Sequence, residues 1–337
     1  MKLVTALSAI LGLAFAIQRA AVMVSEAKLK QRHLAEQIDA AKQQRVAGHY
    51  PEAFEALQQG AKIDADRAEV RIAQEDVAME WLRRIRVTLG EQRFTDIVTK
   101  VQPILVRGIA TSDDQRKGDL AAHLGWADYL LWRDGNLAMK PEEQYRRALA
   151  ADSTNPFAHA MLAHWILLRR GSPAEARAHF AAAKVTGRER DFIRSLELGA
   201  FMDQRDDSSG AELIRVANEL RESGEAMSSD VRRKLADGIC LGGSAYLTAQ
   251  ARATSPLVPA VSGEADLATV TWLFDGMPLR AGEEVFRDYC IASVEEAAGK
   301  PALALATFKS VRPRLPKFSP LVDDTDARIR RLSRLRP

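Results

Sequence analysis

Six histidines, two cysteines and three Asp-Asp pairs are the groups in this sequence with the most chemistry to offer. The histidines stand at 33, 49, 123, 159, 164 and 179, and no H-E-x-x-H pair occurs among them. The closest two, His159 and His164, are five residues apart, which does not place both on one helix face for a shared metal ion. They read as ordinary surface or satisfied core side chains. Cys240 and Cys290 form no CxxC motif and cannot build a zinc cluster alone. They read as small core hydrophobes, and a disulfide becomes the alternative in an extracytoplasmic chain. The pairs Asp113-Asp114, Asp206-Asp207 and Asp323-Asp324 sit in turn or cap contexts, where adjacent carboxylates point apart and solvation outweighs acid–base work. GICLGGSAY (238–246) is glycine-rich but lacks both the G-K-[ST] of a phosphate loop and the G-x-S-x-G of a nucleophile elbow. Close helix packing accounts for it better. The arginine-rich stretch (Arg328, Arg330, Arg331, Arg334, Arg336) would suit anionic lipid or an acidic partner. Its simpler reading is an amphipathic capping helix with Ile329, Leu332 and Leu335 inward. No catalytic residue, metal site or cofactor site is expected, and the chain is not expected to be an enzyme.

The elements that carry these residues are helical. In 337 residues, 47% are hydrophobic and 28% charged, which excludes a disordered chain. Ala, Leu, Glu, Gln and Arg recur, residues that lose little rotamer freedom in a helix. A net charge of +3, from 48 basic and 45 acidic residues, does not point to nucleic acid.

The opening segment MKLVTALSAILGLAFAIQRAAVMV (1–24) is apolar from Leu3 to Ile17. That is short for a spanning helix, which needs about 20 residues. It fits a signal-peptide core, with Ala14-Phe15-Ala16 as cleavage pattern. The rivals are a signal anchor from about Leu3 to Val24, with Arg19 snorkelling, and a buried N-terminal helix. Lys2 on one side and Lys28, Lys30 and Arg32 on the other leave the orientation open. Export to the cell envelope, cleaved or anchored, is the expectation. Residues 25–48 then predict an amphipathic helix on Leu29, Leu34, Ile38, Ala40 and Ala41.

Self-similarity follows. Gly48–Ala53–Leu57–Gly60, Gly171–Ala176–Phe180–Ala183 and Gly299–Ala304–Phe308–Val311 share steps of five, four and three. Each Gly is followed within two or three residues by Pro51, Pro173 or Pro301. The physics is a helical hairpin: Gly makes the turn, Pro opens the second helix, and the small residue lets the helices approach. Ile97, Val101 and Ile104 take the inward positions in the weaker unit 81–105.

On these residues the chain resembles the tetratricopeptide repeat family. LGWADYLLWRDG (124–135) matches the family's Leu-Gly helix, EEQYRRALAADSTNP (142–156) its second helix, and PFAHAMLAHWILLRRGSPAEARAHFAAAK (156–184) a full unit. Gly60 and Val311 depart from the usual Ala, Ser153 from the usual Pro, and Pro141 stands where a small Ala belongs. The resemblance covers about 40–184 and returns at 283–312. It implies an all-α fold, a right-handed α-solenoid of hairpins that is degenerate in its C-terminal half. The organisation expected is 1–24 signal or anchor, 25–188 repeats, 189–282 helical with a Pro/Gly loop near 253–282, and 283–337 hairpin plus basic cap. Helices are predicted within 189–204, 210–224, 228–252 and 265–274.

Such a stack presents a concave groove lined by first helices, in which the family holds peptides of partner proteins. Trp126, Tyr129, His164 and Trp165 stand near its groove-facing positions, where aromatics would anchor a partner. The alternative is that they fill the hairpin core. The function expected is therefore a non-catalytic protein–protein interaction scaffold of the cell envelope, its partner a protein and not nucleic acid. An accessory subunit or enzyme with a site in 189–282, or a component that assembles by stacking, are the alternatives.

Overall fold

A computed structural model describes residues 2–85, 93–202, 207–241, 263–275, 277–279, 282–317, 319 and 321–335, with backbone only for residues 2–17, 20, 21, 202, 207–210, 230, 237, 240 and 241. All regular structure among the described residues is helical. The chain divides into two compact units, 1–158 and 159–337. The division lies inside the helix Pro156–Leu168.

Unit 1 runs α1 (Lys2–Val46), α2 (Tyr50–Ile63), α3 (Ala68–Arg84), α4 (Phe94–Thr111), α5 (Asp114–Arg133) and α6 (Pro141–Ala151), and ends in the first residues of α7 (Pro156–Leu168). Each of α1 to α5 packs on the next, and α1 also meets α3, as α3 meets α5. Leu34, Ile38 and Ala41 bury the inner stripe of α1, whereas Leu29 and Ala40, expected on it, are exposed. Residues 22–33 of α1 are exposed throughout, which corrects the buried-helix reading for that part. No helix among the described residues is long and apolar enough to cross a membrane.

The hairpin turn is one device used four times. At Gly48, φ is +80°, the Gly48 N–H donates to the Arg45 carbonyl at 3.0 Å, and the His49 N–H donates to Gln44 at 2.9 Å. This pair of bonds caps the helix C-terminus with a left-handed residue. Gly135 (φ +100°) and Gly299 (φ +75°) repeat both bonds, to Trp132 and Leu131 and to Glu296 and Glu295. At the third turn the left-handed residue is Arg170 (φ +57°), not Gly171. Gly171 serves a different need: a Cβ there would lie 3.0 Å from the Ile166 carbonyl oxygen that its own N–H reaches at 2.8 Å. Pro51, Pro141, Pro173 and Pro301 each stand in the first turn of the helix that follows, where no N–H is needed.

Small residues then set how closely the helices approach. Ala53, Leu57 and Gly60 are buried on α2, Ile97, Val101 and Leu105 on α4, and Tyr145 and Ala148 on α6. Ile104 is only half-buried. The helix continues past Pro103, so the inward step from Val101 is four residues to Leu105 rather than three. Gly125 lies under Tyr145, whose Cε1 would be 2.6 Å from a Cβ at 125.

Unit 2 continues from α7 with α8 (Pro173–Val185), α9 (Arg190–Met202), α10 (Asp207–Ser223), α11 (Ser229–Leu241), α12 (Glu264–Phe274), α13 (Glu283–Ala297), α14 (Pro301–Val311) and, after a short 3-10 turn, α15 (Leu321–Leu332). Ala176, Phe180 and Ala183 of α8 join Ala160, Ala163 and Leu167 of α7 and the apolar faces of α9 to α13 in one core. Ala304, Phe308 and Val311 of α14 pack on Tyr289 and Ala292 of α13 and Leu332 of α15 in a second. Helices occur in the four expected stretches, at Arg190–Met202, Asp207–Ser223, Ser229–Leu241 and Glu264–Phe274; residues 242–262, with most of the Gly-rich stretch and the first part of the expected loop, lie outside the described residues.

Two glycine substitutions separate tolerance from necessity. At Gly60 the nearest atom to an added Cβ is Leu34 Cδ1 at 3.5 Å, an ordinary contact. Gly60→Ala is expected to stabilise by about 0.5–1 kcal/mol, because Gly costs that much within a helix. Gly125→Ala must displace the fully buried Tyr145 ring and is expected to destabilise by about 1–3 kcal/mol. Thermal and urea melts check both, and equal effects at the two sites would refute the packing argument.

Candidate functional site

The four aromatic positions expected to face a groove are all buried. Trp126 and Trp165 are 8% exposed, His164 7% and Tyr129 6%. In unit 1, Trp126 stacks on Tyr129 with ring centroids 4.6 Å apart, and its Nε1–H donates to the Leu82 carbonyl of α3 at 3.1 Å. The indole therefore links one hairpin to the next. What reaches solvent is the arginine one turn later. Arg133 is exposed and lies over the rings of Phe94 (5.1 Å) and Tyr129 (5.9 Å). Unit 2 repeats the pattern on α7, where the exposed Arg169 lies 5.7 Å over Trp165. An aromatic four residues before an arginine puts both on one helix face, and the ring attracts the cation.

His123 is fully buried, and its bonds fix its tautomer. Nδ1 faces the Asp119 carbonyl oxygen at 2.6 Å, which only accepts, so Nδ1 carries the proton. Nε2 is then the acceptor for the Arg83 guanidinium at 2.9 Å. Both ring nitrogens are committed, and the imidazole packs 4.7 Å from Phe157, over which Arg83 also lies. This is a positioning cluster joining α3, α5 and the start of α7. Asn155 strengthens it: its amide donates to Asp119 at 2.7 Å, and its oxygen accepts from the Ala158 N–H to cap α7.

Asp128, on the same helix, is 8% exposed and has no hydrogen-bond or ion-pair partner among the described residues. Burial, with the charge of Glu143 beside it, pushes its carboxyl up to about 6. The hydroxyl of fully buried Tyr145, on α6, is likewise without a partner. One unsatisfied hydroxyl, and a carboxylate whose ionised form burial disfavours, weaken this hairpin at neutral pH.

Unit 2 holds the richest set of titratable groups. Glu197 of α9 is fully buried and receives Arg194 at 3.0 Å, Lys184 of α8 at 3.3 Å and Arg215 of α10 at 3.6 Å. Arg194, also buried, reaches Glu219 at 2.9 Å and Glu225 at 3.0 Å. Arg215 completes the set with Glu212 at 2.8 Å and Glu219 at 3.2 Å. Two open clefts adjoin over it. One of about 610 Å³ is lined by Arg177, Lys184, Glu197 and Arg215 among others, and one of about 450 Å³ by Arg215, Asn218, Glu219, Glu222 and Asp266 among others. Burial works against ionised Glu219, yet the hydrogen bond from Arg194 and the charge of Lys184 hold its carboxyl below the usual range. A carboxylate held so firmly ionised is suited to binding cations, not to passing protons.

The remaining sequence candidates fall into structural roles. Asp113 caps α5 by accepting the Arg116 N–H at 2.9 Å. Asp324 accepts from Tyr289 at 2.5 Å and from Arg328 at 2.7 Å. Within the arginine stretch Arg328 is buried against Glu296 and the Phe308 ring, and Arg331 also pairs with Glu296. Ile329 and Leu332 face the core as expected, but Leu335 is 56% exposed. Asp206 and Arg336 lie outside the described residues. Sequence reasoning missed the Arg83–His123 contact and a contact between His159 and His179, because each joins different helices. Only the hairpin register, which sets α8 against α7, would have signalled the second.

Two outcomes follow from these clusters. Asp128 binds its proton more tightly folded, at about 6, than unfolded, at about 3.9. Its contribution to stability is therefore greatest below about pH 4, is lost as pH rises to about 6, and stays lost above. Asp128→Asn is expected to stabilise by about 1 kcal/mol at pH 8 once solvent screening is allowed for, and to make no difference near pH 4. A pH-independent difference in denaturant midpoint would contradict this. Arg194→Met is expected to cost about 3 kcal/mol by stranding Glu197, and the added Glu197→Gln to recover most of it, a coupling read from a double-mutant cycle.

In comparisons with known proteins, no protein-family model matches the chain, and no curated protein matches it.

Proposed function

We propose that this chain is a non-catalytic protein–protein interaction scaffold of the cell envelope. In this reading its hairpins stack as a right-handed solenoid of tetratricopeptide-like repeats. The observation that carries it is the fourfold recurrence of one turn. A left-handed residue with the same two capping bonds leads to a helix opened by proline at Gly48, Gly135, Arg170 and Gly299. A hairpin repeated this way buries its apolar face only against neighbours, and the result is an extended surface for a partner.

The buried Trp126, Tyr129 and Trp165 serve as platforms beneath that surface. The contact with a partner falls to the exposed arginines they support, Arg133 in unit 1 and Arg169 in unit 2. A guanidinium preorganised over a ring favours a carboxylate, so the partner segment is acidic. The alternative of a site within 189–282 has the clefts beside α10 as its place. Their groups are ion-paired, which favours binding there too over catalysis.

Export is supported by the apolar opening segment and by Cys290, which is disulfide-bonded. The chain has one other cysteine, Cys240, whose side chain lies outside the described residues. Such bonds persist in oxidising compartments.

Photo-crosslinkers placed at 133 and 169 are expected to trap the same acidic protein from envelope membranes. Arg133→Ala/Arg169→Ala is expected to weaken its capture about tenfold or more. Capture indifferent to the double substitution removes this surface from the reading. For location, mass spectrometry of protein from the envelope fraction is expected to find Cys290 oxidised, and Cys290→Ser to cost about 2–4 kcal/mol. A reduced thiol in a cytoplasmic fraction would overturn export.

A further inference from the structure

His159 of α7 and His179 of α8 face each other across the hairpin, Nδ1 to Nδ1 at 2.8 Å, with ring centroids 5.1 Å apart. Both rings are half-buried, so each is held by its helix yet reachable from solvent. Glu175 stands one turn before His179 on α8, with an exposed side chain and no ion pair among the described residues. We propose that His159 and His179 bind a borderline divalent transition-metal ion such as Zn²⁺ or Ni²⁺, with Glu175 as third ligand and water completing the shell.

Imidazole nitrogen is the ligand these ions prefer, and two imidazoles with one carboxylate is an established set for zinc with an open position. A tetrahedral ion holds nitrogens at about 2.0–2.1 Å, which places two of them about 3.3 Å apart. The rings therefore need to open by about half an ångström, a small rotation for side chains at the surface. No three histidine, cysteine or acidic side chains among the described residues converge on one point as they stand, so Glu175 must swing toward the rings as the ion enters. Burial and then the facing His159 lower the proton affinity of His179, against the opposing charge of Glu175. The neutral ring is the ligand form. In the neutral pair one Nδ1 carries the shared hydrogen. Metal binding moves that proton to Nε2 of the same ring, frees both Nδ1 lone pairs, and releases no proton overall.

EDTA-treated full-length protein, titrated calorimetrically with ZnCl₂ or NiCl₂, is expected to bind one ion per chain and to melt at higher temperature with it. MgCl₂, a hard ion, is expected to do neither. His159→Ala and His179→Ala should each weaken affinity about tenfold or more, Glu175→Gln by a smaller factor, and His33→Ala not at all. His179→Gln, which keeps a polar side chain of similar reach, stands in if the alanine variant fails to fold by circular dichroism. The proposal is overturned if the unmodified protein binds neither ion at about millimolar concentration, the weak end of specific binding. It is equally overturned if the histidine variants bind as well as their parent.

Discussion

Everything in this molecule rests on how closely two antiparallel helices can approach within a hairpin. Gly60 against Leu34 of α1, Gly125 beneath Tyr145 and Ala176 in the core it shares with α7 put a small residue where a large one would hold the backbones apart. Once the helices are close, the bulky neighbours on the same face interdigitate and the hairpin has a core of its own. The turn follows from that geometry. A chain reversing within a few residues needs a left-handed residue at the helix end, and glycine supplies it at three of the four turns. Arg170 supplies it at the fourth at a conformational cost of about 1–2 kcal/mol that glycine would avoid. The short connection that results keeps the second helix in register with the first.

Register, in turn, decides what the helices show to their neighbours. Trp126 reaches the Leu82 carbonyl and His123 reaches Arg83 because α5 is held at a fixed rotation over α3. The charged set around Glu197 is built the same way, from three helices each contributing one or two groups. A buried carboxylate alone would be far too costly. With three cations around it the desolvation is offset, and the geometry of α8, α9 and α10 is specified along with it.

Much of the local structure was legible in the sequence. Gly48, Pro51 and Ala53 announced a turn, a helix start and a close contact, because each acts over a few residues and by its own backbone properties. The amphipathic stripe of α1 was read correctly at Leu34, Ile38 and Ala41 but extended too far, to Leu29, because periodicity does not say where the partner helix stops. Ile104 was taken for Leu105 because the four-and-three step of the other units was carried onto α4, whose inward step from Val101 is four. The aromatics were placed on the right helices, but their depth depends on neighbours that one helix does not reveal. The pairings of Arg194 with Glu219 and Glu225, 25 and 31 residues away, had no local signature at all. Charges of either sign look alike on a helix until the register between helices is known.

The polar contacts between hairpins have a further consequence. Gln74 meets the Leu57 carbonyl, Arg116 meets Glu75 and Asp76, and Asn155 meets Asp119, each a different set of partners at a successive junction of unit 1. In an array built from identical units, any unit can follow any other and one can be deleted without a mismatch. Here the three junctions of unit 1 use different partners, so copying or deleting one of its hairpins would leave polar groups facing the wrong neighbour unless the junctions on either side changed with it.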